Sequence, residues 1–80
     1  MDTSAVITLS AAVIGGAYRV VSFAAGGAAE DRLRDLGFVE GSVVRPVSKA
    51  FLGAATAVEI RGSVFCVRKE QTDEILVEKI

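Results

Sequence analysis

Glycine does most to limit what this chain can become. The eight glycines stand as Gly15-Gly16, Gly26-Gly27, Gly37, Gly41, Gly53 and Gly62, with Pro46 the only proline, so the segments between them are short. Short segments between turn residues suit a small sheet or barrel with tight turns. Eighty residues make one small domain, residues 1–80, with no room for a Rossmann or barrel enzyme. Ordering so small a chain is offset only if most of its Val, Ile, Leu and Phe are buried, and a 51% hydrophobic composition supplies enough of them.

Between the glycines the residue types divide cleanly. Ala17 to Phe23 holds Tyr18, Val20, Val21 and Phe23 and reads as a strand, closed by the small-residue turn Ala24 to Gly27. The period then changes. Ala29, Leu33 and Leu36 fall at i, i+4 and i+7, one face of a helix, and Glu30 to Arg34 is a well-oriented i,i+4 pair. Gly37 stops the helix as a left-handed cap. At two to three turns the helix is too short to be stable alone and must lie on the sheet.

Ser42 to Ser48 reads as the next strand, edge-lying or bulged because Pro46 has no amide to donate. Lys49 to Thr56 reads as a loop around Gly53. Ala57 to Ile60 and Ser63 to Val67 form a hairpin with Arg61-Gly62 near its turn, Arg68 to Asp73 a single helical turn, and Glu74 to Glu78 a last strand. Thr3 to Leu9 is a further strand or a lead-in. The expected fold is mainly β: a small, partly open barrel of about five strands with one short helix after the first core strand.

Composition removes whole classes of function. There is no histidine, so the commonest general base, metal ligand and pH switch are missing. Ten acidic against nine basic residues leave a net charge of −1, without the field that nonspecific nucleic-acid binding requires. A single cysteine, Cys66, cannot form an internal disulfide, and with no basic signal region or apolar span the chain reads as cytoplasmic. Cys66 lies in the apolar run Val64 to Val67 and is expected to be buried and inert.

Other motifs read plainly. Gly26-Gly27 before a helix has no following lysine and no third glycine, and Glu30-Asp31 already fills the positive end, so it reads as a turn and not a phosphate cradle. Glu70, Asp73 and Glu74 lie beside Arg68 and Lys69 without ligand spacing, and read as a solvated charged turn. No catalytic set, metal site or cofactor is expected. The adjacent pair Phe51-Leu52, heading a glycine-containing loop, is either a core plug or an exposed docking knob.

Taken in order, Gly16-Ala17-Tyr18-Arg19-Val20-Val21, Arg32-Leu33-Arg34-Asp35-Leu36-Gly37-Phe38, Glu40-Gly41-Ser42-Val43-Val44, Phe51-Leu52-Gly53, Val58-Glu59-Ile60-Arg61-Gly62, Val67-Arg68-Lys69-Glu70 and Ile75-Leu76-Val77 resemble the FeoA family, the small cytoplasmic companions of bacterial ferrous iron transport. The Leu-Gly-Phe stop followed by a Gly-led strand is the most specific piece. Ala54-Ala55-Thr56 departs from the charged residue and proline that family members often carry there. The resemblance implies an SH3-like barrel that acts by protein contact, with the FeoB-type permease and its cytoplasmic GTPase region as partner and the membrane met only indirectly through that permease. The residues expected to meet it are Arg32 and Arg34 on the helix, Phe38 at its corner, the Phe51-Leu52 loop and Arg61. The alternative is a small barrel that binds nucleic acid or another protein, unrelated to iron. The same barrel also occurs as the C-terminal module of metal-dependent repressors. Self-association is left open.

Overall fold

The computed structural model describes residues 5–24 and 26–80. Six strands, β1 (Val6–Thr8), β2 (Tyr18–Phe23), β3 (Val43–Ala50), β4 (Ala55–Ile60), β5 (Ser63–Arg68) and β6 (Ile75–Lys79), form one antiparallel sheet in the order β1-β6-β2-β3-β4-β5. The sheet does not close, so β1 and β5 are its edges. Of the two readings of Thr3 to Leu9, a strand or a lead-in, the strand is present as β1, paired with β6 through Ile7 opposite Val77; Thr3 and Ser4 of that expected segment, and Ala25 of the turn before the helix, lie outside the described residues.

Strand alternation builds the core. Tyr18 and Val20 of β2, Val44 of β3, Val58 and Ile60 of β4, Val67 of β5, and Ile75 and Val77 of β6 all point inward, and Leu9, Leu33 and Phe38 cap the same cluster. Tyr18 satisfies its buried hydroxyl by accepting the Val13 amide at 2.8 Å. Cys66 does not join this core. The apolar run Val64 to Val67 is a true strand, so its residues alternate, and with Phe65 and Val67 turned inward Cys66 and Val64 face solvent.

The helix α1 runs Gly27–Leu36 and buries Leu33. Its end follows from one residue: Gly37, at φ 111°, lets its own amide donate to Arg34 O and the Phe38 amide to Leu33 O, at 3.0 and 3.1 Å. These are the paired bonds of a Schellman motif, and Phe38 and Leu33 supply its apolar contact inside the core. Ala29 differs from expectation: it is exposed, because the first turn of α1 overhangs the second short helix, α2 (Lys69–Thr72), and bounds a groove with it.

Pro46 lies in β3, between β2 and β4, and so not on an edge. The bulge is real. Pairing with β2 has ended at Val44, so the missing amide costs no ladder bond there, and the register against β4 shifts between Pro46 and Ser48. Beyond the bulge β3 continues through Ala50, which pairs with Ala55. The expected long loop is therefore a hairpin whose connection is only residues 51–54.

Candidate functional site

The tip of the β3–β4 hairpin has unusual backbone. Phe51 and Leu52 take φ values of 54° and 57°, and Gly53 follows at 89°. Left-handed backbone costs a non-glycine L-residue about 1–2 kcal/mol, and bulky apolar residues rarely adopt it. Such strain is held only where the surroundings enforce it. Here the Ala50–Ala55 pair and the Ala54 amide, which donates to Phe51 O at 3.1 Å, close the turn. The result is that Phe51 is 80% and Leu52 108% exposed. The pair is a knob and not a core plug.

Basic groups stand beside this tip. Lys49 is on its ascending strand, and the Lys69 amide donates to Ala54 O at 2.9 Å, which seats the start of α2 against the descending side. Arg68 pairs across from Ala55 at the same end of the sheet. From there a groove runs between α1 and α2, lined by Arg32, Arg68, Glu70 and Gln71 and floored toward Ala29, Leu33 and Glu74. Among the described residues neither Arg32 nor Arg68 has an ion-pair partner. The groove is thus mixed in charge, with two guanidiniums beside the Glu70 carboxylate and a Gln71 side chain whose Oε1 accepts from the Arg68 amide at 3.3 Å, a polar surface able to meet a partner's carboxylates and amides.

The remaining expected contact residues lie elsewhere. Arg34 is already engaged: its guanidinium meets Glu30 at 2.6 Å and clasps both carboxylate oxygens of Glu40 at 3.0 and 2.8 Å, and it lies over the Phe23 ring at 5.0 Å. Hydrogen bonding from Arg34 holds the Glu40 carboxyl below the usual carboxylate range. That network ties the helix to the turn leading into β3, so Arg34 is a brace. Phe38 is fully buried and cannot touch a partner without unfolding the helix cap. Arg61, at φ 53° in the β4–β5 turn, is exposed but sits at the far end of β4, roughly 20 Å from the tip at the usual strand rise. The structure thus exposes Phe51 and Leu52 at the tip and places Arg32 in the groove that includes Arg68, while Arg34 is engaged, Phe38 is buried and Arg61 lies at the other end of β4.

Arg68 and Gln71 join the groove without a local sequence signal, because only the fold brings α2 under α1. The carboxylates near them are partly committed. Asp73 accepts hydrogen bonds from Ser10 Oγ and from Lys69 Nζ, and both, the serine first, hold its carboxyl below the ordinary range. Among the described residues no three His, Cys, Asp or Glu side chains come together as a metal-holding group, and no helix is long and apolar enough to cross a membrane.

Comparison with known proteins identifies the family and agrees with the fold. Residues 7–79 match the FeoA domain family. The fold is similar to that of Stenotrophomonas maltophilia FeoA complexed with zinc, described as a prokaryotic SH3 domain protein and a candidate ferrous iron transport activating factor (32% identity, covering 89% of this chain and 88% of that one, TM-score 0.77). It is similar also to Chlorobium tepidum FeoA (31%, 92% and 70%, 0.84) and to a FeoA-like protein of Clostridium acetobutylicum (26%, 99% and 91%, 0.87). A manganese-dependent transcriptional repressor shares the fold alone, at 16% identity, with the whole of this chain matching 45% of that one at a TM-score of 0.86. The chain matches no curated protein by sequence.

Proposed function

This chain belongs to the FeoA family, and on that premise we propose that it is a cytoplasmic, non-enzymatic accessory protein of ferrous iron transport that docks on the FeoB-type permease at its cytoplasmic GTPase region. The observation that carries the reading is the hairpin tip. Two large apolar side chains held in solvent by strained backbone serve no packing purpose in the isolated domain, and strain of this kind is kept where a site requires it. The adjoining Arg32–Arg68 groove supplies a polar contact beside the apolar one, the usual division of a protein interface. One core cluster drawing on β2 to β6, α1 and the N-terminal turn supports reading the 80 residues as one unit.

The test is binding to the purified permease from the same organism, in detergent, with and without guanine nucleotide. Saturable binding that falls at least about tenfold in a Phe51→Ser/Leu52→Ser double variant, and again in Arg32→Glu, is expected, since centrally placed anchors each contribute about 2 kcal/mol or more. Absence of binding by the unaltered protein overturns the assignment. The nucleic-acid alternative separates on one measurement: affinity for single-stranded DNA or RNA that drops steeply with salt.

A further inference from the structure

The β3–β4 hairpin is also distinct in charge. From Gly41 to Val58 there is no Asp or Glu, while Arg45 and Lys49 are present, in a chain whose acids outnumber its bases ten to nine. Among the described residues the acids lie on α1, in the turn after it, around α2 and at the far ends of the strands. Along the acid-free hairpin the bulge turns out Val47, 42% exposed, and the apex carries Phe51 and Leu52. Arg68 and Lys69 stand at the apex's other shoulder; Lys69 is paired with Asp73 at 3.0 Å, Glu70 shares the groove with Arg32 and Arg68, and Lys49, exposed on the hairpin, donates from Nζ to Ser10 O at 3.3 Å.

Shape narrows the choice of occupant. A convex apolar apex with cations set behind it needs a matching pocket if the partner is a protein, whereas the interfacial layer of a bilayer accepts it without one. Apolar side chains enter the headgroup boundary, and lysine and arginine set back from them meet anionic headgroups. We propose that the β3–β4 tip seats in the interface of an anionic membrane, with Phe51 and Leu52 at the level of the upper acyl chains and Lys49 and Arg68 at the headgroups. This rests on the docking reading above, which brings the chain to a membrane protein, and moves the apolar apex itself from the permease to the lipid beside it, leaving the Arg32–Arg68 groove as the contact with the protein. Two side chains and a few cations make a weak anchor, short even of a single acyl chain, so the contact alone is visible only in large lipid excess and its use is to orient a docked protein.

Flotation with protein-free vesicles tests this, using phosphatidylcholine alone or mixed with phosphatidylglycerol. The full chain is expected to partition onto the anionic vesicles in large lipid excess and to leave them as salt rises. Phe51→Ser/Leu52→Ser should lower partitioning roughly tenfold or more, and Lys49→Ser roughly fivefold, the equivalent of about 1 kcal/mol per cation near an anionic surface. The chain contains no tryptophan, so Leu52→Trp provides a single reporter at the apex, with a blue-shifted emission expected on anionic vesicles only. No partitioning, partitioning indifferent to the double variant, or an unshifted reporter overturns the lipid contact. If vesicles fail while detergent-solubilised permease still binds through the tip, the docking reading stands and the lipid inference falls. Vesicle binding without permease binding has the opposite meaning.

Discussion

Replacing Leu52 with asparagine should make this protein more stable while it binds its partner less well. Leu52 sits at φ 57°, ψ 36°, the left-handed helical region, and at 108% exposure it buries nothing that its removal would uncover. Leucine bears most of the roughly 1–2 kcal/mol cost of that conformation, which asparagine tolerates far better. With no burial lost on the other side, Leu52→Asn should stabilise by roughly 0.5–1 kcal/mol. For a domain of this size that is a rise of about 2–8 °C in Tm. Thermal unfolding followed by circular dichroism reads the first effect, and permease binding the second. A fall in Tm would mean that the side chain rests against the domain in solution or that the backbone there is not left-handed, and either refutes the strain argument. A rise in Tm with unchanged binding would keep the strain and remove the tip from the interface.

Arg61→Asn should likewise stabilise, by about 0.5–1 kcal/mol, because Asn-Gly suits a two-residue hairpin turn with positive φ at both positions, and it should leave permease binding unchanged; weaker binding would return Arg61 to the interface. Phe38→Ala should cost about 3–5 kcal/mol, a large share of the stability of a small domain, and its effect on binding should follow the unfolded fraction in a denaturation series. The carboxyls of Asp73 and Glu40 have folded-state values below their unfolded ones, so the stability they add is complete above the ordinary carboxylate value of about 4 and is lost as pH falls through the depressed values. Stability should therefore drop below about pH 4, and Asp73→Asn should flatten that acid limb; a limb of the same slope in the variant would show that the Ser10–Asp73 tie contributes nothing.

The helix was legible because several local signals agreed: the i, i+4, i+7 spacing of apolar residues, the Glu30–Arg34 pair and the glycine that ends it. The Arg61-Gly62 turn was legible for the same kind of reason, with apolar runs of matching length on either side. The hairpin tip was not. Nothing about phenylalanine or leucine indicates left-handed backbone, and the site exists because the residues there oppose their local preference. Cys66 was misplaced because a run of four apolar residues hides which two face inward, and only the pairing of β5 with β4 settles the alternation. The roles of Arg34 and Phe38 needed tertiary contacts: both belong to the helix end that the sequence marked, yet one is used as a brace and the other as core. Groove residues Arg68 and Gln71 come from a segment distant in sequence from Arg32, and no spacing rule reaches across that gap.

The strand order sets the timing of assembly. β6, the last strand of the sequence, lies between the first two, so β1 has no partner until it arrives and β2 has one side open. During synthesis the run β3-β4-β5 can pair as it emerges, each strand with its immediate neighbour in sequence. The N-terminal residues must wait, with Val20 and Leu9 lacking the wall that Ile75 and Val77 later provide. A nascent chain stalled before residue 75 would hold a formed hairpin and an apolar N-terminal segment open to solvent, a species suited to chaperones or to aggregation. Arrival of β6 between β1 and β2, rather than strand-by-strand growth of the sheet, is expected to complete the native pairing.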